Sequence, residues 1–151
     1  MIRPTTIDDV RQLKPAKWFD DAWRVEMSQP QAADYLDAYC RTLLFDDEMM
    51  GIAGVAPLLP GTGELWMALQ DNAKDHPVLM ARSIVHLISL AQWVLHAHRL
   101  QCTVPADPEM ELYKGFLTRC GFEFEGTLRS YYEPGHDYWL FARLFDPEPI
   151  Q

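Results

Sequence analysis

The sequence has 151 residues, the size of a single domain with a hydrophobic core of its own. Its 22 acidic residues outnumber its 13 lysines and arginines, and this excess argues against nucleic acid as a partner because phosphate binding needs clustered cations. An acidic surface is compatible with a cationic substrate such as an amine. No apolar run approaches the length of a membrane span and the N-terminus lacks an apolar secretory signal, so we expect a cytoplasmic protein that meets no membrane.

The first half of the chain predicts a strand, two or three helical pieces and an antiparallel meander. Met1–Thr5 reads as a strand, Thr6 is the expected N-cap of the helix that follows, and Pro15 ends or kinks that helix. The remaining elements predicted in this half are helical pieces around Trp18, Phe19 and Trp23 and from Ser28 to about Tyr39, and strands over Arg41–Phe45, Met49–Leu58 and Glu64–Leu69.

The second half predicts two helices that alternate with strands. A long helix is expected from about His76 to His98, because apolar residues recur at helical spacing along it. Asp107 is the expected N-cap of the last helix, and Gly121 lies where that helix should end in the left-handed conformation. The strands predicted here are Leu100–Val104, Phe122–Tyr131 and Asp137–Phe145.

This order of elements predicts a mixed α/β sheet in one domain. Strand Glu64–Leu69, the long helix and strand Leu100–Val104 form a β-α-β unit whose two strands would be parallel. We expect the domain to cover residues 1–145, with a loose tail over residues 146–151.

Cysteine and histidine spacing indicates neither a disulfide framework nor a metal site. Cys40, Cys102 and Cys120 are far apart and have apolar neighbours, which is typical of small buried side chains. His96 and His98 are two residues apart and would not share one face of a helix, so we expect no metal ion.

Three segments resemble the GNAT (Gcn5-related) N-acetyltransferase superfamily. They are Ile2-Arg3-Pro4, the Gly51–Pro57 strand and Phe116–Arg129, and the order of elements is similar over nearly the whole chain. The resemblance implies a mostly antiparallel sheet with a central β-α-β unit and helices on both faces. A weaker resemblance, through the Ile-Arg-Pro start and the Phe-Leu pair before the late glycine, is to acetyltransferase-like internal virion proteins of short-tailed phages.

The GNAT resemblance implies an acetyl-CoA site where strands Glu64–Leu69 and Leu100–Val104 splay apart, a position that agrees with ligand binding at the carboxyl ends of parallel strands. The thioester would lie along the backbone of the first strand, and the pyrophosphate would cap the long helix. The cofactor contacts implied in this way are Met67, Ala68, Leu69, Asn72, Lys74 and Phe116.

The sequence departs from the family in the loop that should hold the pyrophosphate. The segment from Gln70 to Pro77 contains no glycine, and Asp71 and Asp75 bring negative charge to it while only Lys74 opposes them. At the position where family members often carry a tyrosine in the last helix, this chain has Leu117.

Two residues are candidates for proton transfer. Glu64 lies where several family members place a general base, although a glutamate beside a turn is also often only solvated. Tyr113 is the candidate acid for the departing thiolate, but its spacing also fits a core stripe. Gly115 in the same helix costs about 1 kcal/mol relative to alanine, which predicts that a neighbouring element or the cofactor packs closely there.

Three functions remain open at this stage. The first is acetyl-CoA-dependent N-acetyl transfer by direct attack of an amine on a small molecule or protein, since no serine or cysteine has a matching base in the sequence. The second is a catalytically degenerate phage virion or host-interaction protein, located in the virion or host cytoplasm, which would use Trp18, Phe19 and Trp23 as a partner patch. The third is a sensor of CoA or a small ligand. A homodimer is compatible with all three.

Overall fold

A computed structural model describes residues 1–14 and 21–146 of the chain. One sheet of seven strands forms its centre. The strands are β1 (Ile2–Pro4), β2 (Cys40–Phe45), β3 (Glu48–Leu59), β4 (Thr62–Leu69), β5 (Arg99–Pro105), β6 (Glu123–Leu128) and β7 (Tyr138–Leu144). The helices are α1 (Ile7–Gln12), α2 (Asp21–Met27), α3 (Ala33–Tyr39), α4 (Pro77–Leu95) and α5 (Glu111–Arg119).

The strand order in the sheet is β1-β2-β3-β4-β5-β7-β6, and β4 with β5 is the parallel pair. Strands β2, β3 and β4 form the predicted antiparallel meander. The β2–β3 turn has two residues, Asp46 and Asp47, both with positive φ, as expected of a tight hairpin whose twist matches its strands. The predicted mixed, mostly antiparallel sheet with a central β-α-β unit is therefore confirmed.

The hydrophobic residues form two clusters on opposite faces of the sheet. Alternation along β4 separates them, since Leu65 faces α4 and α5 while the next two residues, Trp66 and Met67, face opposite sides. The larger cluster joins α4 and α5 to β2–β5 and β7, and the smaller joins α1 and α3 to β2, β3 and β4. Helices on both faces were predicted and are found.

A buried carboxylate connects the N-terminal strand, the first helix and β2. Asp9 accepts hydrogen bonds from Arg3 at 2.6 and 2.9 Å, from the Thr6 backbone at 2.9 Å and from the Thr42 hydroxyl at 2.9 Å. Thr6 is the N-cap of α1, as predicted, and forms a capping box with Asp9. Burial opposes the charge on Asp9, but these hydrogen bonds outweigh it and lower its pKa to about 2.

Several predicted element boundaries are wrong. Helix α4 ends at Leu95 and not near His98, because His96 adopts a left-handed conformation with φ of 48°. Asp107 makes no side-chain capping bond, and a short 3-10 turn precedes α5. Strand β6 stops at Leu128, three residues before the predicted end at Tyr131. Some predictions lie outside the described residues, namely those for Pro15, Trp18, Phe19 and residues 147–151.

The sequence predicted that no apolar run approaches the length of a membrane span, and among the described residues one helix, α4, is a candidate by length and composition alone. This helix has 19 residues, and an 18-residue window of it has a mean hydropathy of 1.6. Eight of them are buried in the domain, and residues such as Leu87 and Ala91 pack in the larger cluster. The apolar character of α4 is thus that of a helix packed against a sheet.

The end of α5 is a complete Schellman motif centred on Gly121. The N–H of Phe122 donates to the Leu117 carbonyl at 3.0 Å, and the N–H of Gly121 donates to Thr118 at 3.1 Å. Gly121 has φ of +87°, as predicted, and a Cβ there would lie 3.3 Å from Nε of Arg143. Arg143 in turn donates to the Cys120 carbonyl at 2.9 Å, so the helix end is held from two sides.

Replacement of Gly121 by valine should destabilise the protein by about 2 kcal/mol or more, because a β-branched residue fits positive φ poorly. The added side chain would also displace Arg143 from the helix end. Urea denaturation measures the loss. The control is Gly126→Val in β6, where no atom lies within 4 Å of an added Cβ. Equal stability of the Gly121 and Gly126 variants would contradict this account of the helix end.

Candidate functional site

The central feature of the site is the point where β4 and β5 separate. Only three pairs join the two strands, and the last of them is Glu64 with Gln101. Beyond it β4 continues to Leu69 beside β3, and β5 continues to Pro105 beside β7. Residues 65–69 and 102–105 therefore face each other across an opening at the carboxyl ends of a parallel pair, where ligands bind in α/β sheets.

Met67, Ala68 and Leu69, predicted to lie along a thioester, are on the β4 side of this opening. Ala68 is buried in the smaller cluster, and its two neighbours are half-buried beside the larger one. Each is paired with β3 on one side and has no β5 partner on the other. Their position agrees with the prediction, and their role as cofactor contacts stays a prediction.

Glu64 lies at the apex of the opening and carries a half-buried carboxylate. Burial raises its pKa above that of an ordinary glutamate. Its carboxylate makes no hydrogen bond or ion pair to any of residues 1–14 and 21–146. A carboxylate that is partly desolvated and without a protein partner is suited to accept a proton from a ligand.

Next to Glu64 on the same face, two tryptophans form an aromatic wall. Trp66 lies two residues along β4, and its ring meets Trp23 of α2 edge-on at 4.9 Å between centroids. Gly54 on β3 allows this arrangement, because a Cβ there would lie 2.7 Å from the Trp66 ring. Trp23 is thus half-buried in the smaller cluster and not on an isolated surface patch, while Trp18 and Phe19 are outside the described residues.

The glycine-free segment after β4 forms a short 3-10 turn over Asp71–Asp75 that is attached to the β2–β3 hairpin. Asn72 donates to the Glu48 carboxylate at 2.9 Å, and Gln70 donates to the Met49 carbonyl at 3.0 Å. Asn72 therefore fixes the turn to the sheet, and its role as a cofactor contact stays a prediction. Its Oδ1 is buried and has no partner among the described residues.

The charged side chains of the turn point to solvent. Lys74 is exposed, as are Asp71 and Asp75, and none of the three forms an ion pair within the part of the chain that the structure describes. At position one of α4, Pro77 supplies no N–H donor. Two carboxylates against one ammonium make this helix start a weak phosphate site.

On α5, Tyr113 is half-buried and Phe116 is buried, and their rings meet edge-on at 6.4 Å. Both pack with the larger cluster, which agrees with the core spacing of the sequence. Burial raises the pKa of Tyr113, so its hydroxyl stays protonated at neutral pH and is able to donate. The roles of Tyr113 as acid and Phe116 as cofactor contact stay predictions.

Gly115 has more room than the sequence suggested. Apart from its own helical turn, no heavy atom of the described residues lies within 4 Å of a Cβ built on it, so the expectation that a neighbouring protein element packs closely there is wrong. The alternative expectation, that a bound molecule occupies the space, stays a prediction. The helical cost of glycine is not explained by the contacts of the described residues.

The three thiols are poorly suited to act as nucleophiles. Burial raises the pKa of Cys40 to about 12 and that of Cys102 to about 12, the latter with help from the Glu64 charge. Burial also raises the pKa of the half-exposed Cys120. Since the thiolate is the reactive form, burial disfavours nucleophilic attack by all three side chains. Cys40 and Cys102 are the small buried residues that the sequence predicted.

Gln101 is a site residue that the sequence reasoning missed. It is the β5 partner of Glu64, and its amide oxygen accepts hydrogen bonds from Arg99 at 3.2 and 3.1 Å. The alternation of polar Arg99, Gln101 and Thr103 with buried Leu100 and Cys102 was a readable signal. It places these polar side chains on the face of the sheet that Glu64 occupies.

Solved structures that match this chain are N-acetyltransferases of the GNAT family, and the chain has the GNAT fold. A ribosomal-protein-alanine N-acetyltransferase from Brucella melitensis matches 96% of this chain and 99% of its own, with a TM-score of 0.69 and 17% identity. An aminoglycoside 6'-N-acetyltransferase from Enterococcus faecium matches 99% of each chain, with a TM-score of 0.67 and 14% identity.

A ribosomal alpha-N-protein acetyltransferase in complex with coenzyme A matches 97% of this chain and 94% of its own, with a TM-score of 0.70 and 16% identity. At these identities the likeness establishes the fold and leaves the activity open. No protein-family model and no curated protein sequence matches the chain. The acetyltransferases named here are not phage proteins, so the weaker phage resemblance finds no support among them.

The residues of the opening fit the acyl end of acetyl-CoA better than its phosphates. The β4 edge beyond Glu64 is free of β5, and Gly115 on α5 leaves space beside it on the helix. The turn at the start of α4 supplies Lys74 but also Asp71 and Asp75. A ligand of this kind would be held mainly by its pantetheine and thioester.

Replacement of Gly115 by alanine should stabilise the protein by about 1 kcal/mol, because alanine is the better helix former and meets no protein atom there. Thermal unfolding measures the gain. The control is Gly135→Ala, which also has open space but a φ of +81°, and it should lower the melting temperature. A lower melting temperature for the Gly115 variant would mean that the space is not available.

Proposed function

We propose that this protein transfers the acetyl group of acetyl-CoA to an amine, by direct attack. The observation that carries the proposal is the half-buried Glu64 carboxylate at the apex of the β4–β5 opening. A base is needed within reach of the acyl group, and the position of Glu64 at the apex of the opening supports that role. The GNAT fold supports the same reaction class, as an analogy of fold.

Acetyl-CoA, when bound, supplies a thioester carbonyl carbon that is open to attack. Glu64 would accept a proton from the acceptor nitrogen as the new C–N bond forms and the C–S bond breaks. Tyr113 would donate its phenolic proton to the departing thiolate sulfur, which balances the charge in the cleft. The raised pKa of Glu64 makes it a stronger base. The raised pKa of Tyr113 leaves the phenol protonated at neutral pH but makes it a weaker acid, in keeping with a secondary role.

Direct attack is favoured over a covalent enzyme intermediate because the described residues include no activated nucleophile. The thiols have raised pKa values, and no serine hydroxyl is hydrogen-bonded to a histidine among residues 1–14 and 21–146. The amine must then reach the thioester in the same ternary complex.

The acceptor in this proposal is an amine on a small molecule or a protein. The net charge of −9 favours the approach of a cation over that of an anion. Three of the matched acetyltransferases are described as acting on ribosomal proteins and one on aminoglycosides, so the fold accommodates both classes of acceptor.

Acetyl-CoA should raise the melting temperature, because a ligand that binds only the native state stabilises it by mass action.

Lys74→Ala should weaken binding about threefold to fivefold, which corresponds to about 1 kcal/mol for an exposed charge pair. Asp71→Asn and Asp75→Asn are the matched controls and should strengthen binding, because each removes a negative charge from the same turn. Isothermal calorimetry measures these affinities. The absence of heat and of a thermal shift at millimolar acetyl-CoA would overturn the proposal.

Glu64→Gln should lower turnover roughly a hundredfold while acetyl-CoA affinity stays nearly unchanged, since proton transfer and not binding is lost. Because burial raises the pKa of Glu64, wild-type kcat/KM should increase with pH as this group deprotonates, and the variant should lack this limb.

Tyr113→Phe should have a milder effect, because a thiolate leaves tolerably without a proton. Thr62→Val, two residues earlier on β4, is the control. Unchanged turnover in the Glu64 and Tyr113 variants would remove both from the mechanism.

A further inference from the structure

An ordered chain of polar side chains leads from the sheet edge to the site. Glu125 of β6 and Arg99 of β5 form a two-pronged ion pair, with N–O distances of 2.6 and 3.0 Å. The hydrogen bond and the charge of Glu125 hold Arg99 fully protonated by raising its pKa. Arg99 then donates from Nε and Nη2 to the amide oxygen of Gln101. The planar Arg99 guanidinium thereby connects the Glu125 carboxylate to the Gln101 amide.

This arrangement determines which way the Gln101 amide faces. Arginine has only donors, so the atom of Gln101 that it contacts must be the oxygen and not the nitrogen. The Nε2 group is therefore turned away from Arg99. Its two N–H donors make no hydrogen bond to any residue of 1–14 and 21–146, and the Gln101 side chain is only half-buried. The amide is thus held through its oxygen, with its donors unused.

Gln101 is also the direct neighbour of Glu64. The two residues form the last β4–β5 pair, so their side chains leave the same face of the sheet from strands about 4.8 Å apart. Glu64 presents an acceptor at the apex of the opening, and Gln101 presents donors beside it. A molecule whose amine approaches Glu64 would bring the atoms next to that amine against Nε2 of Gln101.

We propose that Gln101 is a specificity-determining residue that donates a hydrogen bond to an oxygen of the acceptor, two or three bonds from the attacking amine. This inference rests on the proposed acetyl transfer. It selects acceptors with a carbonyl or hydroxyl oxygen near the amine, as in an amino-acid amide or an amino alcohol. A plain alkylamine offers no oxygen to the Nε2 donors and lacks this hydrogen bond, so its rate is lower than that of such an acceptor.

The test compares two acceptors with the same branched skeleton, alaninamide and 3-methylbutan-2-amine, with acetyl-CoA as donor. Gln101→Leu keeps the volume and removes the donors. It should lower kcat/KM for alaninamide about tenfold, the usual effect of one hydrogen bond, and leave kcat/KM for the alkylamine unchanged. Gln92→Leu, the same substitution at an exposed position of α4, is the matched control and should change neither value.

The Glu125–Arg99 ion pair, with its hydrogen bonds to Gln101, is here called the relay. Arg99→Met tests whether the relay acts through Gln101. It frees the Gln101 amide to rotate, so it should lower the ratio of kcat/KM for alaninamide to kcat/KM for the alkylamine. The decrease should be smaller than that caused by Gln101→Leu. The Arg99→Met, Gln101→Leu double variant should be no worse than Gln101→Leu alone, because the relay has nothing left to orient. Fully additive losses would overturn the relay.

The outcomes separate this inference from the reaction on which it rests. An equal loss for both acceptors in Gln101→Leu would overturn the specificity role while leaving the transferase proposal intact. A wild-type protein that acetylates neither amine in the presence of acetyl-CoA would overturn the transferase proposal itself. A loss confined to alaninamide would support both.

Discussion

The short parallel pairing between β4 and β5 is the constraint on which the site depends. Each of these strands keeps an antiparallel partner on its outer side, β3 for β4 and β7 for β5, over most of its length. The strands are therefore able to diverge after the Glu64–Gln101 pair, and only the hydrogen bonds between them are lost. The opening exposes backbone edges that a bound molecule would satisfy, and it sets a carboxylate and an amide side by side at its apex.

The start of α4 illustrates how a common fold accommodates an uncommon loop. A glycine-rich turn would present backbone N–H groups to a phosphate, but here the 3-10 turn is tied to the β2–β3 hairpin through Gln70 and Asn72. The turn is positioned by side-chain hydrogen bonds to its own sheet. For a ligand that binds beside this turn, contacts along β4 would contribute more to the affinity than charge does. Its affinity would therefore decrease little when the salt concentration is raised.

Local signals predicted most of the fold, and long-range contacts account for what was missed. The end of α5 was predictable because Gly121 indicates a residue in the left-handed conformation. Helix α4 ends before His96, which is also left-handed, but histidine does not indicate that conformation in a sequence. The meander followed from alternation and turn residues. Gln101 was missed because its importance comes from its pairing with Glu64 and from an ion pair between Arg99 and Glu125, which are 26 residues apart. Gly115 was judged by its helical cost, and only the neighbouring atoms reveal the open space.

The Asp9 carboxylate has a consequence for how the molecule opens. Strand β1 has three residues and lies at the edge of the sheet, the kind of segment that frays first. Detaching it would separate Arg3 from a carboxylate that also holds α1 and Thr42 of β2, so fraying of this edge would require the first helix to open with it. Because the pKa of Asp9 is lowered from 3.8 to about 2, this coupling is complete above pH 4 and weakens as the pH falls through that range. We therefore expect the amides of β1 and α1 to exchange with solvent as one cooperative unit, which would divide only in strong acid.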